Sequence, residues 1–394
     1  MASALSGVRD MSSVLARSAR SLLHAAVVSM LAVPMASATI FTVPSLETPT
    51  IGSAVAVAVA GDTVNVLPGT YFEHDLALNE RVTLRGVEGA AATTIDAQGQ
   101  GRVLYLSYIE TLIEGLTITG GASGLGAGIY AEFGSGGHTI RDCVITDNHA
   151  INRGGGMLFY HRFSAITVSD CVVSANTAGS SGGGLVDEKG DFTEPLVVTN
   201  CLFEGNAAGN GGGMAIDWGR VTCAQCRFVG NTADSRGGGF VIFSPSIALV
   251  EECTFYANSA TEGGGIYDWD DGSGGVRDFD CIRSIIAFSP SGGGFDSITP
   301  CRGTFYCCDI YGNTGGDSFC GTDLGGNFSL DPLFCDAENG DLQLDGHSPC
   351  LPGNHPDEVD CAGVIGALGV GCGATPVNDG VESASWSLVK NRYR

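Results

Sequence analysis

The segments "DCVITDNHAINRGGG" from Asp142, "DCVVSANTAGSSGGG" from Asp170 and "NCLFEGNAAGNGGG" from Asn200 share a cysteine, an asparagine five residues later and a glycine triplet beyond it. The cysteines run on as Cys143, Cys171, Cys201, Cys226, Cys253, Cys281 and Cys308, in steps of 28, 30, 25, 27, 28 and 27 residues. Asparagine follows at Asn148, Asn176, Asn206, Asn231, Asn258 and Asn313, and one unit departs with Ile286. Triplets open at Gly154, Gly182, Gly211, Gly237, Gly263 and Gly292. A period in this range, varying by a few residues, means stacked supersecondary units whose length differences sit in loops.

Helical repeats would show long stretches of 3.6-residue periodicity with few glycines, and these units hold short runs such as "HTIRDCVI", "AITVSDCVV" and "LVVTNCLF" between Gly, Asn and Ser turns. Two residues after the cysteines stand Ile145, Val173, Phe203, Phe228, Phe255 and Ile310, on the same strand face by the two-residue period. Three residues before them stand Ile140, Val168, Val198, Cys223 and Val250; after the glycines come Met157, Leu185, Met214, Phe240, Ile266 and Phe295. Each unit thus supplies about three short strands, one coil of an all-β, single-stranded parallel β-helix of about 9–11 coils. Coils stack at the strand spacing of ~4.8 Å, so equivalent side chains lie over one another. The cysteine reads as a small apolar filler, the asparagine as a turn ladder, and the glycine as a tight bend.

The unit C-x-[IVF]-x-x-N-x-A-x-x-x-GGG resembles the right-handed parallel β-helix repeats of bacterial secreted proteins in the pectin-lyase-like superfamily and of polymorphic outer-membrane proteins. "GDTVNVLPGTYFEHDLALNERVTLRGVEG" from Gly61, with "TTIDAQGQGRVLYL" after it, is similar to the N-terminal coils of that superfamily, so that the resemblance covers about residues 48–330. The motifs specify turns and core, hence fold more than function. "PTIGSAVAVAVAGD" alternates Ala and Val as a strand would, whereas the resemblance implies a short helix capping the first coil. Ile51, Val55, Ala58 and Val59 fit one helical face, and the cap is the reading adopted.

The N-terminus has secretory order: Arg9, Arg17 and Arg20, then "LLHAAVVSMLAVPM", then Ala36-Ser37-Ala38. Residues 1–38 are expected to be a signal peptide, 39–330 the β-helix with its N-terminal cap, 331–373 a Cys-rich closing segment and 374–394 a flexible tail. No later segment reaches the ~18 apolar residues a membrane span needs. In an exported chain, Cys320, Cys335, Cys350, Cys361 and Cys372 are disulfide candidates whose connectivity the spacing does not give. Fifteen cysteines is an odd number, so at least one lacks an intramolecular partner.

A formal charge of −24 with 16% charged residues excludes nucleic acid and anionic membrane as partners, because phosphates are held by clustered Lys and Arg. The chain is expected to be a monomer, secreted or at the cell surface. Cys223-Ala-Gln-Cys226 lacks a second pair at zinc-finger spacing, and Cys223 occupies a core slot. His149, His161, His347 and His355 are scattered, and "GGASGLGAG" is one glycine-rich turn among many.

One constellation remains, in the residues after the glycines. The coils read "MLFYH", "LVDEK", "MAIDW", "FVIFS" and "IYDWDDG", placing Phe159, Asp187, Ile216, Ile242 and Asp268 third, and Tyr160, Glu188, Asp217, Phe243 and Trp269 fourth. Sugars are held by flat aromatic faces and by carboxylates that accept hydroxyl hydrogen bonds, so Tyr160, Asp187, Asp217, Trp218, Asp268 and Trp269 are expected to bind polysaccharide or a cell-surface glycan. Glycosidases need two carboxylates ~5–10 Å apart, a role open to Asp187 and Asp217. No cofactor is expected, calcium being the one ion that Asp268, Asp270 and Asp271 could hold through oxygen, without the DxDxDG spacing. Two readings follow: an exported scaffold that binds polysaccharide, or a polysaccharide lyase or hydrolase acting on acidic glycans. The resemblance implies for a lyase a basic residue beside a calcium-binding acid cluster, and the repeats carry only isolated Arg153, Lys189, Arg220 and Arg236. The scaffold reading is therefore ranked first.

Overall fold

The computed structural model describes residues 38–373, apart from 108, 133–136, 161–163, 191, 270–277, 299–300, 302 and 360. The expected signal peptide to residue 37, the tail from residue 374, His161, Asp270 and Asp271 lie outside the described residues. Among the described residues no helix is long and apolar enough to cross a membrane.

The chain winds into an all-β parallel solenoid of about 12 turns. One coil shows the pattern: Thr139–Arg141, Val144–Thr146, His149–Arg153 and Met157–Tyr160 are four short strands on four successive faces. Each pairs in parallel with its equivalent one coil on, Ile140 with Val168, Ile145 with Val173, Ala150 with Ala178 and Met157 with Leu185. The first face runs from Ile40–Val43 to Thr322–Asp323, the second holds ten strands and the third five. Two strands, Met214–Ala224 and Phe240–Glu251, pass from the fourth face of one coil to the first face of the next without a loop. The third strand, beyond the three the pattern predicts, is marked only by small residues: Ala150, Ala178 and Ala208 stack there as their own cluster.

Corners are made by left-handed residues. One stands before each cysteine slot (Asp142, Asp170, Asn200), one before each asparagine (Asp147, Ala175, Gly205) and one opens each triplet (Gly154, φ +67°). The other two glycines answer to space: a Cβ on Gly155 or Gly156 would lie 2.5 Å from the carbonyl oxygen of Gly183 or Gly184 on the next coil.

Inside, like packs on like. Phe203, Phe228 and Phe255 stack with centroids 4.8 and 4.5 Å apart and planes within 5°. The thiols of Cys143, Cys171, Cys201, Cys226, Cys253 and Cys308 each donate back to the carbonyl two residues earlier, Cys143 to Arg141 at 3.1 Å and Cys201 to Thr199 at 3.2 Å. The cysteine column corrects one register. Cys281 pairs with Val250 and so sits in the slot of Ile140, Val198 and Cys223, while Ser284 takes the cysteine position and accepts from Cys253 N at 3.1 Å. The unit that departs at Ile286 is thereby regular: Ser289 holds the asparagine slot and donates its N–H to Asn313 Oδ1 at 3.0 Å.

From Asn148 to Asn258 the asparagines form a continuous buried ladder. Asn206 Nδ2 donates to Asn231 Oδ1 (2.9 Å) and to Val173 O (2.8 Å), while its Oδ1 accepts from the backbone N and the Nδ2 of Asn176 (both 3.0 Å). At the N-terminal end, Ile51–Val55 is the helical cap. Thr50 and Ser53 form a capping box, and Glu73 accepts the N–H groups of Ile51 and Gly52, both at 2.8 Å. Ile51, Ala54 and Ala58 face the first coil, whereas Val59 is exposed.

The C-terminal part carries the disulfides Cys301–Cys320, Cys307–Cys361 and Cys335–Cys372. Cys350 stays reduced and buried. The closing segment packs Leu344, Cys350, Leu351, Cys361 and Ile365 onto Ile285, Ala287 and Cys307, on the outer side of the second face. Beneath it, buried Asp309 accepts from Leu330 N (3.1 Å) and from the Cys350 thiol (3.3 Å). Burial raises the Asp309 carboxyl to about 7 and pushes the Cys350 thiol up.

Two outcomes are expected. Asn206→Ala leaves buried groups of Asn176, Asn231 and Val173 without their partner at about 1–3 kcal/mol each, so the urea midpoint falls clearly, whereas Thr232→Ala on the exposed side leaves it nearly unchanged. Asp309 binds its proton more tightly folded than unfolded, so its contribution to stability is full below the unfolded pKa of about 4 and is lost as pH rises through about 7. Urea titrations across that window should show wild-type stability declining with pH and Asp309→Asn flattening the decline.

Candidate functional site

Strand alternation divides the residues after each triplet. The first and third point into the solenoid; the second and fourth point out. Inward third positions are Ala131, Phe159, Asp187, Ile216, Ile242 and Asp268, joined in register. Asp187 and Asp268 are each only 1% exposed. Asp187 Oδ2 lies where a Cβ on Gly219 would be 2.9 Å away, and Asp268 Oδ2 takes Ser297 Oγ at 3.5 Å. Asp217 pairs with Glu188 and faces outward. Asp187 and Asp217 therefore stand on opposite sides of one sheet and do not form the facing carboxylate pair that adjacent coils suggested. Among the described residues no three of His, Cys, Asp and Glu converge as metal ligands.

The outer side of the fourth face has a different character. Tyr130, Leu158, Val186, Ala215, Val241 and Tyr267 form an apolar strip, flanked by Tyr105, Tyr160, Phe243 and Trp269. It spans seven coils, roughly 30 Å at the coil rise. Guanidinium groups reach onto it. Arg102 donates to the carbonyls of Gly126 (2.8 Å) and Leu125 (2.7 Å) and lies 4.4 Å over the Tyr130 ring. Arg153 pairs with Glu188 at 2.8 Å and Asp217 at 3.5 Å. Arg236 pairs with Glu262 at 2.7 Å and sits 4.1 Å over Trp269 and 5.3 Å over Tyr267. Arg153 and Arg236 come from one register of the third face, with Ser181 and Asn210 between them.

Tyr160 accepts a hydrogen bond from Lys189 Nζ at 3.0 Å, which raises the Lys189 pKa. Burial pushes the Tyr130 and Tyr267 phenols up and keeps them neutral. Trp269 packs against Phe243 at 5.3 Å. Trp218, 53% exposed with φ +64°, sits at a bulge inside the strand Met214–Ala224 and donates its backbone N–H to Ser246 Oγ at 3.0 Å. Of the residues expected at the site, Tyr160, Asp217 and Trp269 share the outer surface, Trp218 adjoins Asp217 along the chain, and Asp187 and Asp268 belong to the interior. Tyr105 and Arg102 share that side half-buried, whereas Tyr130 and Tyr267 lie buried beneath Arg102 and Arg236. The two-residue period marks the two buried tyrosines, because Tyr130 and Tyr267 hold second positions.

Residues 102–280 match the family model described as right handed beta helix region. Among solved structures, pectate lyase Pel9A is similar with a TM-score of 0.52 at 12% identity, over 84% of this chain and 96% of that one. Such identity shows the fold alone. Two structures of the pectin methylesterase from Aspergillus niger align over 74% of this chain and 90% of theirs, at 11% and 12% identity and TM-scores of 0.31 and 0.32, and carry no argument. No curated protein sequence matches.

The split between inner and outer carboxylates has a measurable consequence. Asp187→Ala opens a gap and strips polar neighbours inside the solenoid, and should destabilise the fold by about 1–3 kcal/mol more than Asp217→Ala, read from paired denaturant titrations. Equal effects would contradict the inward placement.

Proposed function

Because the chain is a right-handed β-helix protein of pectin-lyase-like fold, we propose that the outer side of its fourth face binds polysaccharide. The observation that carries this reading is the run of half-buried Tyr105, Tyr160, Phe243 and Trp269 along the solenoid axis, above the buried Tyr130 and Tyr267 and interleaved with Arg–carboxylate pairs. A linear polymer laid along that axis meets aromatic side chains at Tyr160, Phe243 and Trp269 and carboxylates at Glu188 and Asp217 in the coils between. Aromatic faces supply apolar contact, and tyrosine hydroxyls and carboxylate oxygens supply hydrogen-bonding groups that match sugar hydroxyls. The rigid solenoid holds these groups in place before the ligand arrives, which lowers the ordering cost of binding.

The binding reading ranks above turnover because the carboxylates considered for acid and base roles, Asp187 and Asp217, face opposite ways. Disulfides and the secretory order of the N-terminal residues support export, with the protein acting as a monomer outside the cell.

Intrinsic fluorescence tests the surface directly, since the chain has three tryptophans and two of them are Trp218 and Trp269. Titration with plant and bacterial polysaccharides, with and without calcium, should give a saturable change. Trp269→Ala should weaken binding about tenfold with an unchanged circular dichroism spectrum, and Trp218→Ala by less. Full affinity in the double variant would move the site elsewhere.

A further inference from the structure

We infer that this surface is built for a neutral glycan and rejects an acidic one, an inference that rests on the polysaccharide reading above. A polyanion is recognised by basic groups left available to it, and among the described residues the protein's own groups engage Arg102, Arg153, Lys189 and Arg236, the cations that lie against the aromatic rings. Glu188 and Asp217 hold Arg153, and the Glu188 side chain is only 13% exposed. Glu262 holds Arg236, whose flat face is spent on Trp269 and Tyr267. Arg102 donates to two backbone carbonyls, stacks over Tyr130 and has Asp75 and Glu132 beside it. Lys189 donates to the Tyr160 hydroxyl with Glu188 and Asp217 nearby.

Four cations are thus balanced by Glu132, Glu188, Asp217 and Glu262, on a chain of formal charge −24. A uronate carboxylate arriving at Arg153 would have to displace the largely buried Glu188 and then lie against it, like charge on like. A hydroxyl needs no such exchange: it donates to the outer lone pairs of the paired carboxylates or accepts from the outer N–H groups of the arginines, while ring C–H faces lie against the half-buried Tyr160 and Trp269. Neutral polyols are therefore complementary to the surface as it stands.

The test compares wild-type protein on neutral polymers (galactan, arabinan, xyloglucan and mixed-linkage glucan) and on polygalacturonate, by tryptophan fluorescence and by co-sedimentation, at low and high salt, with calcium or a chelator. The expected result is saturable binding to at least one neutral polymer, changing less than about twofold with salt, and at least about tenfold weaker binding to polygalacturonate. Freeing Arg153 with Glu188→Gln and Asp217→Asn together should create salt-sensitive polygalacturonate binding. Tighter binding of polygalacturonate than of every neutral polymer by wild type, or binding that requires calcium, overturns the neutral specificity and leaves the polysaccharide reading intact. Failure to bind either class overturns the polysaccharide reading and this inference with it.

Discussion

The rest of the structure depends on one constraint, that each residue must be satisfied by its own equivalent one coil away. Backbone hydrogen bonds of a parallel sheet impose it at the strand spacing, and the asparagines extend it to side chains. An isolated turn asparagine would satisfy its amide from nearby backbone or from water; Asn176, Asn206 and Asn231 instead satisfy one another in the dry interior. A ladder of this kind rewards identity over similarity, because a different side chain in one coil leaves groups unmet in two. Ser289 is the tolerated exception: Asn313 still accepts its backbone N–H.

The same constraint decides what the sequence reveals. Residues that face their own copies are forced to repeat, so the coil, its corners and the columns through Cys171, Asn206 and Phe228 can be read without coordinates. Residues whose slot accepts several side chains repeat poorly. Spacing puts Cys281 in the cysteine column, and the structure moves it three residues back in register, because a thiol also fits the slot that Val250 fills; only the pairing separates the two. The third strand escapes notice because alanine and glycine carry little pattern. The closing disulfides follow no period at all, and Cys301 and Cys307 pair with partners 19 and 54 residues on.

For the candidate site the limit is of another sort. Asp187 and Asp217 stand one coil apart and one strand position out of phase, and by the two-residue period that single step moves a side chain from the interior to solvent. The period was available in the sequence. Charge overrode it, since a carboxylate is rarely placed inward. Asp187 and Asp268 are such cases, each at the end of a fourth-face strand where the chain turns away. The aromatic and arginine surface, by contrast, arises from second and fourth positions together with residues just ahead of the glycines, three registers that come together only once the corner is folded.

The two strands that cross from fourth to first face without a loop, Met214–Ala224 and Phe240–Glu251, mark the shortest route around that corner. Every other coil inserts chain at the same place, as between Glu188 and Leu196, and the coils before and after stay in register regardless. Insertions there are uncoupled from the stacking that holds the fold, so one coil can lengthen or replace its loop with no adjustment in the next. Such a scaffold lets a new rim evolve one rung at a time beside a surface that stays fixed, and selectivity for a polymer can drift coil by coil while the stability of the whole is left almost untouched.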